Sequence, residues 1–167
     1  LVNEFPEMQG VLGGYFAESQ GFEKEVCLAV SEHYLPSGLN SRTPKNNYSI
    51  ALSLSDKLDT LVGFFGLDLV PTSSKDPYAL RRMAIGLIKL IIENKKSFKL
   101  KEMIDYSCQL YNNQSINFDR KSVHTNLSIF IIDRLKNYMK EKGIRLDIIE
   151  SSLIDFDLNN IFVIFTK

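Results

Sequence analysis

The chain has 167 residues, of which 44% are hydrophobic and 24% charged, with 20 basic and 20 acidic side chains. That length and composition describe one globular domain or two small ones and exclude a disordered chain. A net charge of zero argues against a polyanion binder over its whole surface, and the longest apolar run, IGLIKLII, is broken by Lys89 and is too short to span a membrane.

In chain order, helical periodicity dominates. A first helix is predicted over 6–20, with Pro6 in its opening turn and Glu7 at the positive end of its dipole, stopped by Gly21. The first residues carry acids and no basic flank, which is not the pattern of a signal peptide, and the missing initiating Met is compatible with a fragment. EKEVCLAVSEHYL (23–35) reads as a second helix, and PSGLNSRTPKN (36–46) as a loop. Gly13 and Gly14 lie inside a helical pattern and suit close helix packing. A third helix, 50–65, has a stripe of Ala51, Leu54, Leu58, Leu61, Val62 and Phe65 at spacings of three and four.

Residues 71–82, PTSSKDPYALRR, form a turn running into a fourth helix, with Asp76 as N-cap and Pro77 at the first helical position. That helix is apolar on most sides (Leu80, Met83, Ala84, Leu87, Ile88, Ile91, Ile92), with Arg82, Lys89 and Glu93 assigned to a polar edge. NKKSFK (94–99) interrupts it. A shorter helix follows at 100–111, then a long one over 119–142 capped by Asp119 and stopped at Gly143, then a short one at 145–153. IFVIF (161–165) suits strand or helix by composition and is taken as helical for want of a strand partner. The expected fold class is all-α.

Charge is unevenly spread. Residues 1–35 carry six acids and one base, whereas residues 75–102 carry eight bases and three acids. Such a segment steers an acidic partner over a distance that screening limits to roughly 8 Å at physiological salt. Lys75, Arg81 and Arg82 cluster at the start of the fourth helix, where guanidinium groups and backbone N–H donors together suit a phosphate. Asp76 competes for the same helix end, as cap or as partner of an arginine, and Pro77 removes one donor. The plain alternative is a solvated face.

His33, Asp56 and Asp59 are the candidates for metal chemistry, since Asp56 and Asp59 stand one helical turn apart and a histidine on another helix completes an imidazole–carboxylate set. Capping, pairing with Lys57 or exposure to solvent is the alternative for the two aspartates. His124, at the start of an amphipathic helix, reads as a surface residue. Cys27 and Cys108 are isolated and read as core residues or free thiols in a reducing compartment. No phosphate loop, dinucleotide fingerprint, zinc spacing or nucleophile elbow is present.

The strings EFPEMQGVLGGYFA (4–17), EHYLP (32–36), ALSLSDKLDTLVGFFG (51–66) and PTSSKDPYALRRMAIGLIKLI (71–91), in this order and spacing, resemble the middle of the β subunit of the bacterial tetrameric glycyl-tRNA synthetase. RLKNYMKEKGIRLDIIESSL (134–153) is similar to the helical body that follows in that subunit. The resemblance implies an internal fragment of a cytoplasmic hetero-tetrameric ligase, with an HD-like helical domain over 1–95 and a segment of the helical body over 96–167. It places glycyl-adenylate formation, with ATP and magnesium, on the α subunit, and tRNA binding on the β subunit, with no cofactor in this fragment. It also implies that Asp56 falls where HD-type phosphohydrolases keep their last metal-binding aspartate and that His33 resembles a helix histidine of theirs. The adjacent His-Asp pair that holds the metal in those domains is missing, and EFPE stands roughly where it is sought. The competing readings are an active metal-dependent phosphohydrolase and a purely structural helical module.

Overall fold

A computed structural model of the chain describes residues 4–5, 8–154 and 156–166. Among these residues the fold is all-α: eight α-helices, with a 3-10 turn at Leu158–Asn160 and no strand. The helices are α1 (Val11–Ser19), α2 (Lys24–Glu32), α3 (Asn47–Gly66), α4 (Leu80–Glu93), α5 (Leu100–Asn113), α6 (Arg120–Glu141), α7 (Leu146–Ser152) and α8 (Ile161–Phe165). No helix among them is long and apolar enough to cross a membrane.

The ends of these helices follow local chemistry. Pro6 and Glu7, expected to open the first helix, lie outside the described residues. α1 starts only after Gly10, whose φ of 81° is a left-handed conformation that a helix does not continue through. α2 ends at Glu32, three residues short of the expected Leu35, because Pro36 pushes the residue before it away from the helical region. α3 begins three residues earlier than its apolar stripe indicated, since the Asn46 side chain accepts a hydrogen bond from the Tyr48 N–H at 2.8 Å and caps it. Asp119 caps α6 as expected, accepting from the N–H groups of Lys121 and Ser122. IFVIF is helical, entered through the 3-10 turn Leu158–Asn160.

α3 and α4 form the centre, packed on each other and covered by α5, α6 and α8. Leu61, Val62, Leu87, Ile88, Leu90, Leu100, Ile104, Leu127, Ile131 and Leu135 are sealed from solvent in one continuous core. α1 packs on α2, and α2 on α3, so the first two helices form a hairpin at the edge. Its close approach depends on small residues: a Cβ at Gly14 would stand 2.8 Å from the Ser31 Cβ, and one at Gly13 would stand 3.0 Å from Val30 Cγ1.

One assignment from the periodicity is corrected. Lys89 is not on a polar edge but 3% exposed, its ammonium donating to the carbonyl oxygens of Leu39 (2.6 Å) and Ser41 (2.5 Å), with Glu93 at 3.5 Å. The loop 36–46 folds over α4 and supplies these acceptors. Thr43 donates to Glu93 Oε2 at 2.5 Å and Lys45 to the Glu93 carbonyl at 3.1 Å, which ties the loop to the end of α4.

Candidate nucleic-acid interface

The turn before α4 is built around Asp76. Ala79 has a φ of 57°, left-handed for a residue with a Cβ, and α4 therefore starts at Leu80 instead of at Pro77. Asp76 still caps, from outside the usual N-cap position: its two carboxylate oxygens accept from the N–H groups of Leu80 (2.8 Å) and Arg81 (3.0 Å). The positive end of α4 is thus already met by a carboxylate. The Arg81 guanidinium turns back to donate to the Thr72 carbonyl oxygen and closes the turn. Lys75 and Arg82 are exposed, and no ion pair engages either among the described residues.

The rest of the basic segment does not form one face. Lys89 is buried, Lys99 pairs with Glu102 at 3.0 Å, and Lys101 pairs with Asp157 at 2.7 Å. Hydrogen bonds from Lys101 and the Asn159 N–H lower the Asp157 pKa. What remains for a polyanion is the start of α4, with Lys95 and Lys96 at its far end.

Arg82 borders a cleft of about 360 Å3 between the start of α4, the middle of α3 and the turn after α2, lined also by Tyr34, Pro36, Asp56, Lys57 and Met83. Its inner wall is fixed by Lys57, only 3% exposed. The Lys57 ammonium donates to the carbonyl oxygens of His33 (3.1 Å), Tyr34 (3.2 Å) and Leu35 (3.3 Å) and to Ser53 Oγ (2.9 Å). Ser53 in turn donates to the Leu35 carbonyl. A cation thus closes the carbonyl end of α2, where the helix dipole is negative. Burial pulls the Lys57 pKa down from 10.5 to about 8, with the neighbouring Asp56 charge opposing the shift. Gly86 leaves the space for it, since a Cβ there would meet Lys57 Cε and the Pro36 carbonyl oxygen at 2.7 Å each.

The three candidate metal residues point to different partners. His33 donates through Nδ1 to the Val30 carbonyl at 2.6 Å, and its ring packs on Tyr34 at 4.2 Å. Asp59 accepts from Ser107 (3.1 Å) and from the Tyr111 hydroxyl (3.2 Å), joining α3 to α5. Burial and then the Asp59 charge push the Tyr111 pKa up to about 12. Asp56 borders the cleft, and its charge acts on the Lys57 ammonium. Among the described residues no three His, Cys, Asp or Glu side chains gather as a metal site. His124 is half-buried and joins α6 to α5 through Asp105 at 2.9 Å. Cys108 is buried, which pushes its thiol pKa up, and Cys27 is half-buried in the α1–α2 hairpin.

Sequence reasoning had placed Lys57 only as a possible partner of the aspartates and had not singled out Tyr34. A signal for Lys57 was present: it lies three residues after Leu54 and four before Leu61, on the buried stripe of α3.

Comparison with known proteins bears on all of these residues. A family model described as the glycyl-tRNA synthetase beta subunit matches residues 1–154. The chain is 37% identical over 161 residues to the glycine–tRNA ligase beta subunit of Clostridioides difficile (strain 630), covering 96% of this chain and 23% of that protein. It is 40% identical over 153 residues to the corresponding subunit of Dichelobacter nodosus, covering 92% and 22%. With that of Rhodospirillum centenum it shares 41% identity over 151 residues, covering 90% and 21%. The chain spans less than a quarter of the length of these relatives. A match running through both the α3 and α4 strings and on to Ile154 leaves one assignment: the chain belongs to the glycyl-tRNA synthetase beta subunit family.

Proposed function

We propose that this chain is the part of a glycine–tRNA ligase β subunit that helps bind and position tRNA, with Lys75 and Arg82 touching its phosphate backbone and Arg81 holding the turn that presents them. The observation that carries this reading is the exposed pair of Lys75, in the turn before α4, and Arg82, in its first turn beside an open cleft, in a chain of this family. Glycyl-adenylate chemistry, with ATP and magnesium, belongs in this proposal to the α subunit of a cytoplasmic hetero-tetramer. The isolated chain accordingly makes no glycyl-tRNA and supports no glycine-dependent pyrophosphate exchange.

In the complete ligase, Arg82→Ala and Lys75→Ala raise the KM for tRNA and leave the KM values for glycine and ATP nearly constant. Each lost phosphate contact also lowers the slope of log affinity against log salt by about 0.7 to 0.9. Unchanged tRNA KM and salt slope in both variants would refute the contact. A second reading, that the arginines are structural, has one observation in its favour: the Arg81 guanidinium is held on the Thr72 carbonyl. Arg81→Ala then lowers the unfolding temperature with the salt slope unchanged, which separates the two roles residue by residue. We further propose a nonhydrolytic HD-like domain over 1–95 joined to a helical-body segment over 96–167. Lys57 fills the carbonyl end of α2 with a fixed cation, and His33 and Asp59 are engaged elsewhere, which supports the absence of a catalytic metal.

A further inference from the structure

We infer that the cleft between Tyr34 and Arg82 receives one unstacked nucleobase that carries an exocyclic amino group; this rests on the tRNA-binding reading and extends it from backbone to base. Four features of the cleft point this way. Its volume, about 360 Å3, lies at the low end of the roughly 300–1,000 Å3 of small-ligand sites, which suits a single nucleotide. Tyr34 is 43% exposed, while one side of its ring is held by His33 and by Gly10, where a Cβ would approach Tyr34 Cδ2 to 3.2 Å. The ring is therefore positioned before a ligand arrives and still presents area for stacking.

Asp56 borders the same space with a carboxylate that no hydrogen bond or ion pair engages among the described residues, although it is half-buried. An ionised carboxylate only accepts, so it selects bases with an amino group (adenine, cytosine, guanine) over uracil, whose edge offers carbonyl oxygens on both sides of one N–H. Arg82 stands at the rim, where a phosphate attached to the base would lie. In the apolar cleft between α3 and α5 the charged groups are already engaged, Asp59 by Ser107 and Tyr111 and Lys99 by Glu102.

The test is a fluorescence-anisotropy titration of this chain with labelled oligo(rA), oligo(rC) and oligo(rU) at several salt concentrations. Oligo(rA) and oligo(rC) are expected to bind several-fold more tightly than oligo(rU). Asp56→Asn, which can donate as well as accept, should remove that preference. Tyr34→Ala should weaken binding of oligo(rA) and oligo(rC) roughly tenfold without lowering the unfolding temperature, and Tyr34→Phe should restore it. Arg82→Ala should lower the salt slope while the base preference persists. Equal wild-type affinity for the three oligomers, or a Tyr34→Ala chain that binds like wild type, overturns the cleft and leaves the backbone contact standing if the salt slope survives. Failure of the chain to bind any of the three at low salt overturns both.

Discussion

Lys57 carries a charge into a site that is 3% exposed, and its lowered pKa measures what that placement costs. The folded protein releases the Lys57 proton at about pH 8 and the unfolded chain near 10.5, so between those values the unfolded state binds more protons and stability rises with pH. Tyr111 and Tyr138 act in the opposite sense. Burial raises both from 10 to about 12, so their contribution is complete below pH 10 and is lost above it. Denaturant midpoints measured from pH 7 to 11 should therefore climb from about 8, flatten above about 9 as the buried Cys108 thiol, whose pKa is raised, opposes Lys57, and turn down beyond about 10. In Lys57→Met the climb should vanish, and at pH 7 the variant should lose about 1–3 kcal/mol because carbonyls of residues 33–35 lose their donor. Asp76 offers a second residue-scale contrast. Asp76→Ala should cost about 1 kcal/mol of stability through two uncapped N–H groups, yet tighten RNA binding by removing an anion from the start of α4. Loss of stability without tighter binding would place the phosphate away from that helix end.

Helices in this protein are positioned by what lies between them as much as by their own stripes. α1 rests on α2 through Gly13 and Gly14, and the pair meets the remainder mainly through α2. Gly14→Ala puts a methyl group 2.8 Å from Ser31 Cβ and 3.1 Å from the Cys27 carbonyl oxygen, neither of which is a flexible end. α1 should lift away, so that Cys27 reacts faster with a thiol reagent while buried Cys108 does not, and the global unfolding temperature should fall little. At the centre the same change has another outcome. Gly86→Ala drives a methyl group against Lys57 and the Pro36 carbonyl, and should both destabilise the chain and weaken RNA binding through the cleft wall. The element boundaries teach the same point. Gly10 and Ala79, both at positive φ, decide where α1 and α4 begin, and neither position stands out in a hydrophobic periodicity.

For the molecule as a whole, one core runs from Leu54 on α3 to Ile161 on α8 and crosses the proposed division at residue 95. The chain should accordingly unfold in a single transition, with far-ultraviolet dichroism and tyrosine fluorescence giving the same midpoint. A fragment of residues 1–95 would leave the faces of α3 and α4 that meet α5, α6 and α8 in water, among them Phe65, Leu87 and Ile88. It should bind a hydrophobic dye and lack a cooperative melt. Two separate transitions in the full chain would mean that the two segments are independently stable despite their shared core.

Sequence alone determined the all-α class, the apolar faces of α3, α4 and α6, and the cap at Asp119, because these depend on residue type and on spacings of three and four along one helix. The family strings were equally legible, since they are linear. Tertiary structure decided where the charges act. Lys57 and Lys89 sit at core spacings, but only the loop 33–45, brought across α3 and α4, supplies the carbonyl oxygens that make their burial tolerable. For the same reason His33, Asp56 and Asp59, which suit one another as residue types, face the Val30 carbonyl, the cleft and α5 respectively. His33 finds its acceptor three residues upstream, but the partners of Lys57, Lys89 and Asp59 lie 24, 50 and 48 residues away, and no periodicity within one helix encodes them.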